Sequence, residues 1–499
     1  MNLPPPAIIV TVPARSVGDA RSQVAEAHRA GANLAEIRLD RFSVPELDRL
    51  GTLFPSPLPL IATLRSRAEG GEGPDDAETR IQRLREFARH PFRWIDAEAA
   101  RDFPAAESLT RTGVQDLIVS THLPASVPGA EWSRLLRQSV PAGGVRKVVS
   151  PSSVGRLLNE LLPAIPPPGE CALVALTTGP SGPLLRAWSR KLGFPFVFAS
   201  LPESTDVPST PAVERSQIPV DRLLPFLRSE GTPPLFAIAG HPVDHSRSPT
   251  LFARWMREDG NVGLYVALDF EIDAEFADSM PKLAAGGFRG LSVTHPLKAV
   301  ASELADEVGP GATACGVANT LTFGPDGVSA ENTDLVAILR RFAELRSAGA
   351  WDGASVGVIG AGGAARATLA AARSLGVEAY VWARRAAEAE RLAREFGARS
   401  VASPRDARPT LVVHATTAGR RAESPSSPPN LDWIQKGVHA VDWVYLPEDP
   451  LVRRAAERVG TTYEDGSRLL VYQAAAAYGI WWDHEPSAER VAAAVGDFR

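Results

Sequence analysis

Two lysines in this chain sit where an amine is costly unless it is used. Lys147 lies inside the apolar run Val145-Arg146-Lys147-Val148-Val149, and Lys298 closes Leu291-Ser292-Val293-Thr294-His295-Pro296-Leu297-Lys298. Burying an unpaired ammonium is expensive. Of 53 lysines and arginines only five are lysine, namely Lys147, Lys191, Lys282, Lys298 and Lys436. Arginine stays protonated, whereas a lysine amine can lose its proton and act as nucleophile or base. Coding bias accounts for Lys191, Lys282 and Lys436, which fall in polar contexts, but it suits Lys147 poorly. His122 ends the apolar run just before that of Lys147. An imidazole and an amine on adjacent strands can do imine chemistry: the amine condenses with a ketone and the base removes an α-proton.

The elements that must hold these groups alternate in type. Apolar strand-like runs at 7–11, 34–39, 60–64, 92–97, 117–121, 145–150, 172–177 and 195–199 are separated by helical patterns such as 77–89, 154–162 and 184–192. Eight such units predict a (β/α)8 barrel, and a doubly wound sheet satisfies the same pattern. Barrel chemistry belongs at the carboxyl ends of strands. Polar residues gather there: Glu36, Arg38 and Asp40, then Arg65, Asp96, Glu98, His122 and Lys147. Glu36, Arg38 and Asp40 alternate with apolar residues, which predicts one shared interior face. The Arg65-Ser66-Arg67-Ala68-Glu69-Gly70-Gly71-Glu72 segment is a glycine-containing loop that can fold closely over a ligand.

Length and composition bound the rest. At 499 residues two or three domains are expected. A net charge of −5 with 44% hydrophobic and 22% charged residues describes a globular chain. No basic stripe points to nucleic acid, and no apolar run approaches the ~18 residues of a membrane span. Met1-Asn2-Leu3-Pro4-Pro5-Pro6 has no charged and apolar leader pattern, so no secretory signal is expected. Cys171 and Cys315 are far apart, which fits a reducing cytoplasm, and neither they nor the nine histidines suggest a metal site.

In their order, Glu36-Ile37-Arg38-Leu39-Asp40, the Arg65 to Gly71 loop, Ser120-Thr121-His122 and Lys147 resemble type I 3-dehydroquinate dehydratase over about residues 7–222. The resemblance implies that Lys147 forms the Schiff base, His122 is general base and acid, and Glu69 orients His122. Glu36, Arg38 and Arg65 would hold substrate hydroxyls, Arg186 the substrate carboxylate, and Gln217 would stand for the lid glutamine. The chain departs from the family at Thr121, where tyrosine is usual, and at Thr177, taken as the methionine position. It also departs in the disrupted lid motif at 208–218.

A Pro-, Ser- and Thr-rich stretch at 202–219 and Arg228-Ser229-Glu230-Gly231-Thr232-Pro233-Pro234 precede a second half. There Ser246 and Ser248 stand before a helix start, a setting for a carboxylate or simply an N-cap. The ordered motifs Ser246-Arg247-Ser248-Pro249, Ser292 to Lys298, Gly316-Val317-Ala318-Asn319-Thr320, Glu331-Asn332-Thr333-Asp334 and Glu464-Asp465-Gly466 with Gln473 resemble shikimate dehydrogenase over about residues 234–499. That resemblance implies a Lys298–Asp334 proton-transfer pair, with Ser246, Ser248, Thr294, Asn319, Tyr445 and Gln473 binding substrate. Ser292 stands where the family usually has asparagine.

Strand-like 354–359, then Gly360-Ala361-Gly362-Gly363-Ala364, then a helical pattern at 366–375 reads as a dinucleotide turn. The next strand ends in Arg384-Arg385 rather than an acid, which favours the 2′-phosphate of NADP. Thr416, in His414-Ala415-Thr416-Thr417-Ala418-Gly419-Arg420, joins the expected cofactor residues. The family has Asn-Ala-Thr-Pro-x-Gly-Met there.

The expected architecture is α/β: an N-terminal (β/α)8 TIM barrel at 1–222, a linker at 223–233, and a two-lobed shikimate-dehydrogenase-like domain. Its lobes would be a substrate lobe at 234–350, completed by helices at 465–499, and a Rossmann lobe at 351–464. The expected function is dehydration of 3-dehydroquinate followed by NADPH-dependent reduction of 3-dehydroshikimate to shikimate. The partners are these small molecules, with no nucleic acid, membrane or metal. The rival readings are an inactive metabolite-binding regulator and a quinate-using dehydrogenase with an impaired dehydratase half.

Overall fold

In a computed structural model the described residues are 3–103, 116–202, 216–416, 430–443, 445 and 451–497. Residues 208–215 of the expected lid motif and Thr417 to Arg420 lie outside them. By contacts the chain forms two compact units. One comprises Met1–Leu235, Pro242–His245 and Asp259–Gly287; the other comprises Phe236–His241, Ser246–Glu258 and Phe288–Arg499.

The first unit contains β1 (Ala7–Val12), β2 (Leu34–Arg38), β3 (Leu60–Thr63), β4 (Trp94–Glu98), β5 (Asp116–His122), β6 (Val145–Pro151), β7 (Leu173–Thr178) and β8 (Phe196–Ala199). They run parallel in the order β7-β6-β5-β4-β3-β2-β1-β8. Sequential order with β8 returning to pair with β1 is a barrel, not a doubly wound sheet. Period-two alternation divides its interior by height. Ile9, Leu34, Ile61, Ile118, Val145, Val174 and Phe196 form an apolar plug near the amino ends. Two or more residues further along the same inward faces come Thr11, Glu36, Thr63, Asp96, Ser120 and Lys147.

The seam between β7 and β8 is bridged by a side chain. Buried Arg186, on the helix Gly182–Ala187, donates from Nη1 to the carbonyls of Thr177 (3.1 Å) and Gly182 (2.7 Å), and from Nε to that of Phe198 (3.2 Å). Alternation also corrects the reading of β7. Val174 and Leu176 belong to the interior cluster, so Thr177 faces away from it and Thr178 continues the inward face. Asp40 lies outside the strand: β2 stops at Arg38, and Leu39–Arg41 forms a single tight turn. The helix Val220–Arg228 crosses the expected boundary at 222, because Leu223, Phe226 and Leu227 bury an apolar face that a linker would expose.

The second half adds β9 (Leu235–Gly240), β10 (Leu264–Asp269), β11 (Phe288–Val293), β12 (Glu307–Val308), β13 (Thr320–Gly324) and β14 (Gly327–Glu331). Five of them follow the order β9-β11-β13-β14-β12, with antiparallel pairs at β11–β13 and β13–β14. A separate parallel sheet holds β15 (Ser355–Ile359), β16 (Glu378–Trp382), β17 (Arg399–Ser400), β18 (Leu411–His414), β19 (His439–Asp442) and β20 (Thr462–Glu464). Its order, β17-β16-β15-β18-β19-β20, is that of a Rossmann fold, and the order reverses at β15.

Candidate active sites

In the barrel, strand register assembles the site. Lys147 stands beside Ser120 across the β5–β6 pair, and His122 follows two residues later on the same face. Lys147 Nζ lies 3.3 Å from Asp96 Oδ2 and 3.7 Å from Glu36 Oε1, and 3.9 Å from the ring centroid of Phe198. Glu36 is held by donors on both sides, Thr11 Oγ1 at 2.9 Å and Thr63 Oγ1 at 3.0 Å. Gln217 Nε2 reaches Thr11 Oγ1 at 3.3 Å, which places Gln217 at this network. Arg38 closes a bidentate pair with Asp40 at 2.8 Å.

Arg65 is the hub. Its Nη2 donates to Asp96 (2.9 Å), and its Nη1 to Ser120 Oγ (2.9 Å), Glu69 (3.2 Å) and Glu98 (3.2 Å). Glu69 in turn accepts from the backbone N–H of His122 at 2.9 Å and lies 3.2 Å from its Nδ1. The loop that carries Glu69 folds back tightly: a Cβ on Gly71 would lie 2.2 Å from the Arg65 carbonyl oxygen. Thr121 faces outward instead and accepts from buried Arg146.

These charges set one another. Burial alone would raise the Asp96 carboxyl, but Arg65 and Lys147 outweigh it and hold it down to about 2. Burial pushes Glu69 up to about 7 against the pull of Arg65. Burial, reinforced by the positive charges of Arg65, Lys147 and Arg38, drives the His122 imidazole well below its usual value, so it is a neutral base at neutral pH. Thr11, Thr63 and Ser120 were missed by sequence reasoning. For Thr63 and Ser120 the signal was parity, since they share an inward face with Arg65 and His122; Thr11 lies on a strand that carries no residue singled out.

In the second unit, backbone hydrogen bonds bring separate motifs to one place. Thr294 N–H donates to Ala239 O (2.9 Å), His241 N–H to His295 O (2.8 Å), Val293 N–H to Asn319 O (2.6 Å) and Ala318 N–H to Lys298 O (3.0 Å). Asn332 caps the helix Thr333–Ser347 by accepting from Leu335 N–H at 3.2 Å, which puts Asp334 in its first turn. Lys298 Nζ is ion-paired with Asp334. Asn319 Oδ1 accepts from Thr333 N–H at 2.7 Å, tying the two motifs together. Among the described residues, buried Ser292 Oγ has no hydrogen-bond partner. Ser246 Oγ accepts from Ser248 N–H at the start of the helix Ser248–Asp259. Gln473 lies half-buried on the helix Ser467–Trp482, and Tyr445 stands half-buried beyond β19.

The Gly-rich turn fits a dinucleotide. Gly360 has φ +126°, and a Cβ there would lie 2.6 Å from the Ala415 carbonyl oxygen. Among the described residues nothing lies within 4 Å of a Cβ on Gly362 and no side chain caps the helix Gly363–Ser374, which leaves the N–H groups of its first turn for a ligand. Gly363 meets the substrate lobe directly, since a Cβ would lie 2.6 Å from Lys298 Cδ. Arg384 and Arg385 follow β16 and are exposed. Among the described residues no cluster of metal-ligating side chains occurs, and no helix is long and apolar enough to cross a membrane.

An amine–imidazole barrel and an amine–carboxylate pair beside a dinucleotide turn define a two-site α/β enzyme. Residues 8–229 match the family model of type I 3-dehydroquinase, and 238–321 that of the shikimate dehydrogenase substrate binding domain. Over 267 residues (51% of the chain, 93% of the relative) the sequence is 36% identical to the shikimate dehydrogenase (NADP(+)) of Dinoroseobacter shibae. It is 35% identical over 246 residues (49% and 91%) to that of Thermus thermophilus. The chain belongs to the shikimate dehydrogenase family through its C-terminal half, which follows a type I 3-dehydroquinase domain.

Proposed function

We propose that the chain is a bifunctional enzyme that dehydrates 3-dehydroquinate to 3-dehydroshikimate and reduces that ketone to shikimate. The observation that carries this is that one chain holds Lys147 and His122 on the same inward face of neighbouring strands and an ion pair of Lys298 with Asp334. Both pairs are assembled, which argues against a binding-only regulator. We place the barrel at 1–229, so that it takes in the helix Val220–Arg228, the linker at 230–233, the substrate lobe at 234–350 with 465–499, and the Rossmann lobe at 351–464. The reading is of a cytoplasmic protein.

In the barrel, the Lys147 amine attacks the substrate ketone and water leaves, forming an imine. The imine withdraws electrons from the adjacent carbon, and His122 removes the α-proton there. His122 then returns that proton to the departing hydroxyl, which leaves as water, and imine hydrolysis frees the enone and regenerates Lys147. Glu69 holds the imidazole in place and stabilises the imidazolium formed midway, as the orienting acid of a catalytic triad does. Glu36, Arg38, Arg65 and Gln217 hold hydroxyls, and Arg186 takes the carboxylate.

In the second site, Ser246 and Ser248 hold the carboxylate, while Thr294, Asn319, Gln473 and Tyr445 hold the ring. A substrate hydroxyl would satisfy the unpartnered Ser292 Oγ. When bound, NADPH supplies the reducing equivalent. Lys298 gives the proton to the carbonyl oxygen as negative charge develops there, and Asp334 positions the ammonium. Gly360, Ala361, Gly362, Gly363 and Ala364 offer backbone N–H groups to the phosphates. Thr416 borders that turn, and Arg384 and Arg385 favour a 2′-phosphate over a bare ribose.

The test is incubation with 3-dehydroquinate. Enone absorbance should rise without cofactor, and NADPH should be consumed once it is added. Absence of enone would sink the dehydratase assignment, and enone without NADPH consumption would sink the reductase one. Borohydride should trap substrate on the wild type but not on Lys147→Arg.

A further inference from the structure

Charged side chains in the barrel form one connected network. Arg65 pairs with Glu69, Asp96 and Glu98, Arg80 with Glu98 and Asp102, Arg101 with Glu69 and Glu98, and Lys147 with Asp96 and Glu36. Four cations (Arg65, Arg80, Arg101, Lys147) thus face five carboxylates (Glu36, Glu69, Asp96, Glu98, Asp102). With His122 neutral the network is one negative charge in excess. A proton on His122, whose Nδ1 lies 3.2 Å from Glu69 Oε2, cancels that excess, and an uncompensated charge is what a buried site pays most for. The balance holds only while Glu69 is ionised. Burial opposes that, and Glu98 and Asp96 repel the charge. The Arg65 guanidinium that counters them is shared, since the same Nη1 also serves Glu98 and Ser120.

Arg101 supplies a second cation. It follows β4, and its Nη1 sits 3.4 Å from Glu69 Oε1 and 3.4 Å from Glu98 Oε2. The turn that carries it is fixed from both ends. Ala99 N–H donates to Ser120 O and Asp102 N–H to Glu98 O, each at 2.8 Å, and fully buried Arg80 grips Asp102 with two hydrogen bonds of 2.8 Å. The two oxygens of Glu69 are therefore divided: Oε2 accepts from His122 N–H and faces the imidazole, while Oε1 faces Arg101. The other charged groups that act on Glu69 are Arg65 after β3, Asp96 and Glu98 on β4, His122 on β5 and Arg146 on β6.

We infer that Arg101 is a positioning residue for dehydration: by holding the far oxygen of Glu69, it keeps that carboxylate ionised and turned toward His122. Arginine suits the place because one planar guanidinium spans two carboxylates and stays protonated at every working pH. The inference rests on the barrel mechanism proposed above and adds to it a residue that stands in none of the motifs around Lys147 and His122.

The experiment is the pH profile of dehydratase kcat/KM on the full chain, followed as enone absorbance. Arg101→Gln and Arg101→Met remove the cation and should move the inflection from about 7 to about 8. Well below the inflection that is about a tenfold loss, with a plateau still reached at alkaline pH. Arg101→Lys keeps a cation and should hold the inflection near that of the wild type. The double variant Glu69→Gln with Arg101→Gln should match Glu69→Gln alone, because the arginine acts through the glutamate. Borohydride trapping on Lys147 should persist in both neutral variants, since imine formation does not need Glu69. NADPH consumption with added 3-dehydroshikimate should be unchanged. Lost trapping would mark a barrel that has not folded, and its loss in both neutral variants would make Arg101 a structural residue and overturn the inference. An inflection that stays near 7 in a folded neutral variant would overturn it too. So would an Arg101→Lys profile shifted as far as that of Arg101→Gln, or a further loss in the double variant. A wild type that forms enone with no inflection would overturn the inference alone, whereas a wild type that forms no enone would overturn the barrel reading beneath it.

Discussion

At the scale of single residues, the proposed mechanism makes the protonation of Glu69 govern the barrel chemistry. Its carboxyl is raised to about 7, so it is protonated below that pH and ionised above it. Only the carboxylate stabilises the imidazolium that forms on His122. Dehydratase kcat/KM should therefore rise about tenfold per pH unit up to about 7 and then level off. In Glu69→Gln the inflection near 7 should vanish from the pH–rate profile. His122→Ala should cost about 10²–10⁴-fold in kcat yet leave borohydride trapping on Lys147 intact, since imine formation precedes proton removal. Asp96 acts on stability instead. Its folded value of about 2 lies below the ordinary 3.8, so its contribution is fully present above 3.8 and is lost as pH falls toward 2. That contribution amounts to about 2 kcal/mol. Chemical denaturation of the barrel between pH 5 and 2 should show the loss, and a flat stability over that range would refute it.

Elements meet through a few side chains whose removal should be felt beyond their own position. Arg186 ties the carbonyls of β7 to that of β8, where strand pairing leaves the barrel seam. Arg186→Leu strands buried carbonyls and should destabilise the barrel by about 3 kcal/mol, read as an earlier unfolding transition of the barrel by circular dichroism in urea. In the second unit, the helix start at Gly363 touches Lys298 Cδ. Gly363→Ala pushes that lysine off Asp334, and a displacement of about 1 Å at a reacting group costs about a hundredfold. Reductase kcat should fall accordingly, with dehydratase activity unchanged as the internal control.

For the whole molecule, the proposed presence of two sites in one chain predicts separable activities. Lys147→Arg should abolish enone formation from 3-dehydroquinate and leave reduction of added 3-dehydroshikimate intact, and Lys298→Ala should do the reverse. Mixing the two variants should restore NADPH consumption from 3-dehydroquinate, because the intermediate can diffuse between chains. The motifs around Lys147, His122, Lys298 and Asp334 were legible in order along the chain, and so were all eight barrel strands. Residue type and local spacing carry that information, since alternation and turn chemistry are short-range properties. Other features depended on contacts across the fold. Arg186 spans a seam that exists only when β8 returns to β1, and Thr177 faces outward by a parity that only neighbouring strands define. The helix Val220–Arg228 read as linker until its apolar face was seen buried. His414 read as a departure from a motif until Asp442, 28 residues away, came to lie 2.9 Å from it. The sequence by itself determined which chemistry the chain carries, because reactive groups are a matter of residue type. Only the tertiary structure decided which groups hold them in place and at what charge, because burial and distance between strands set both.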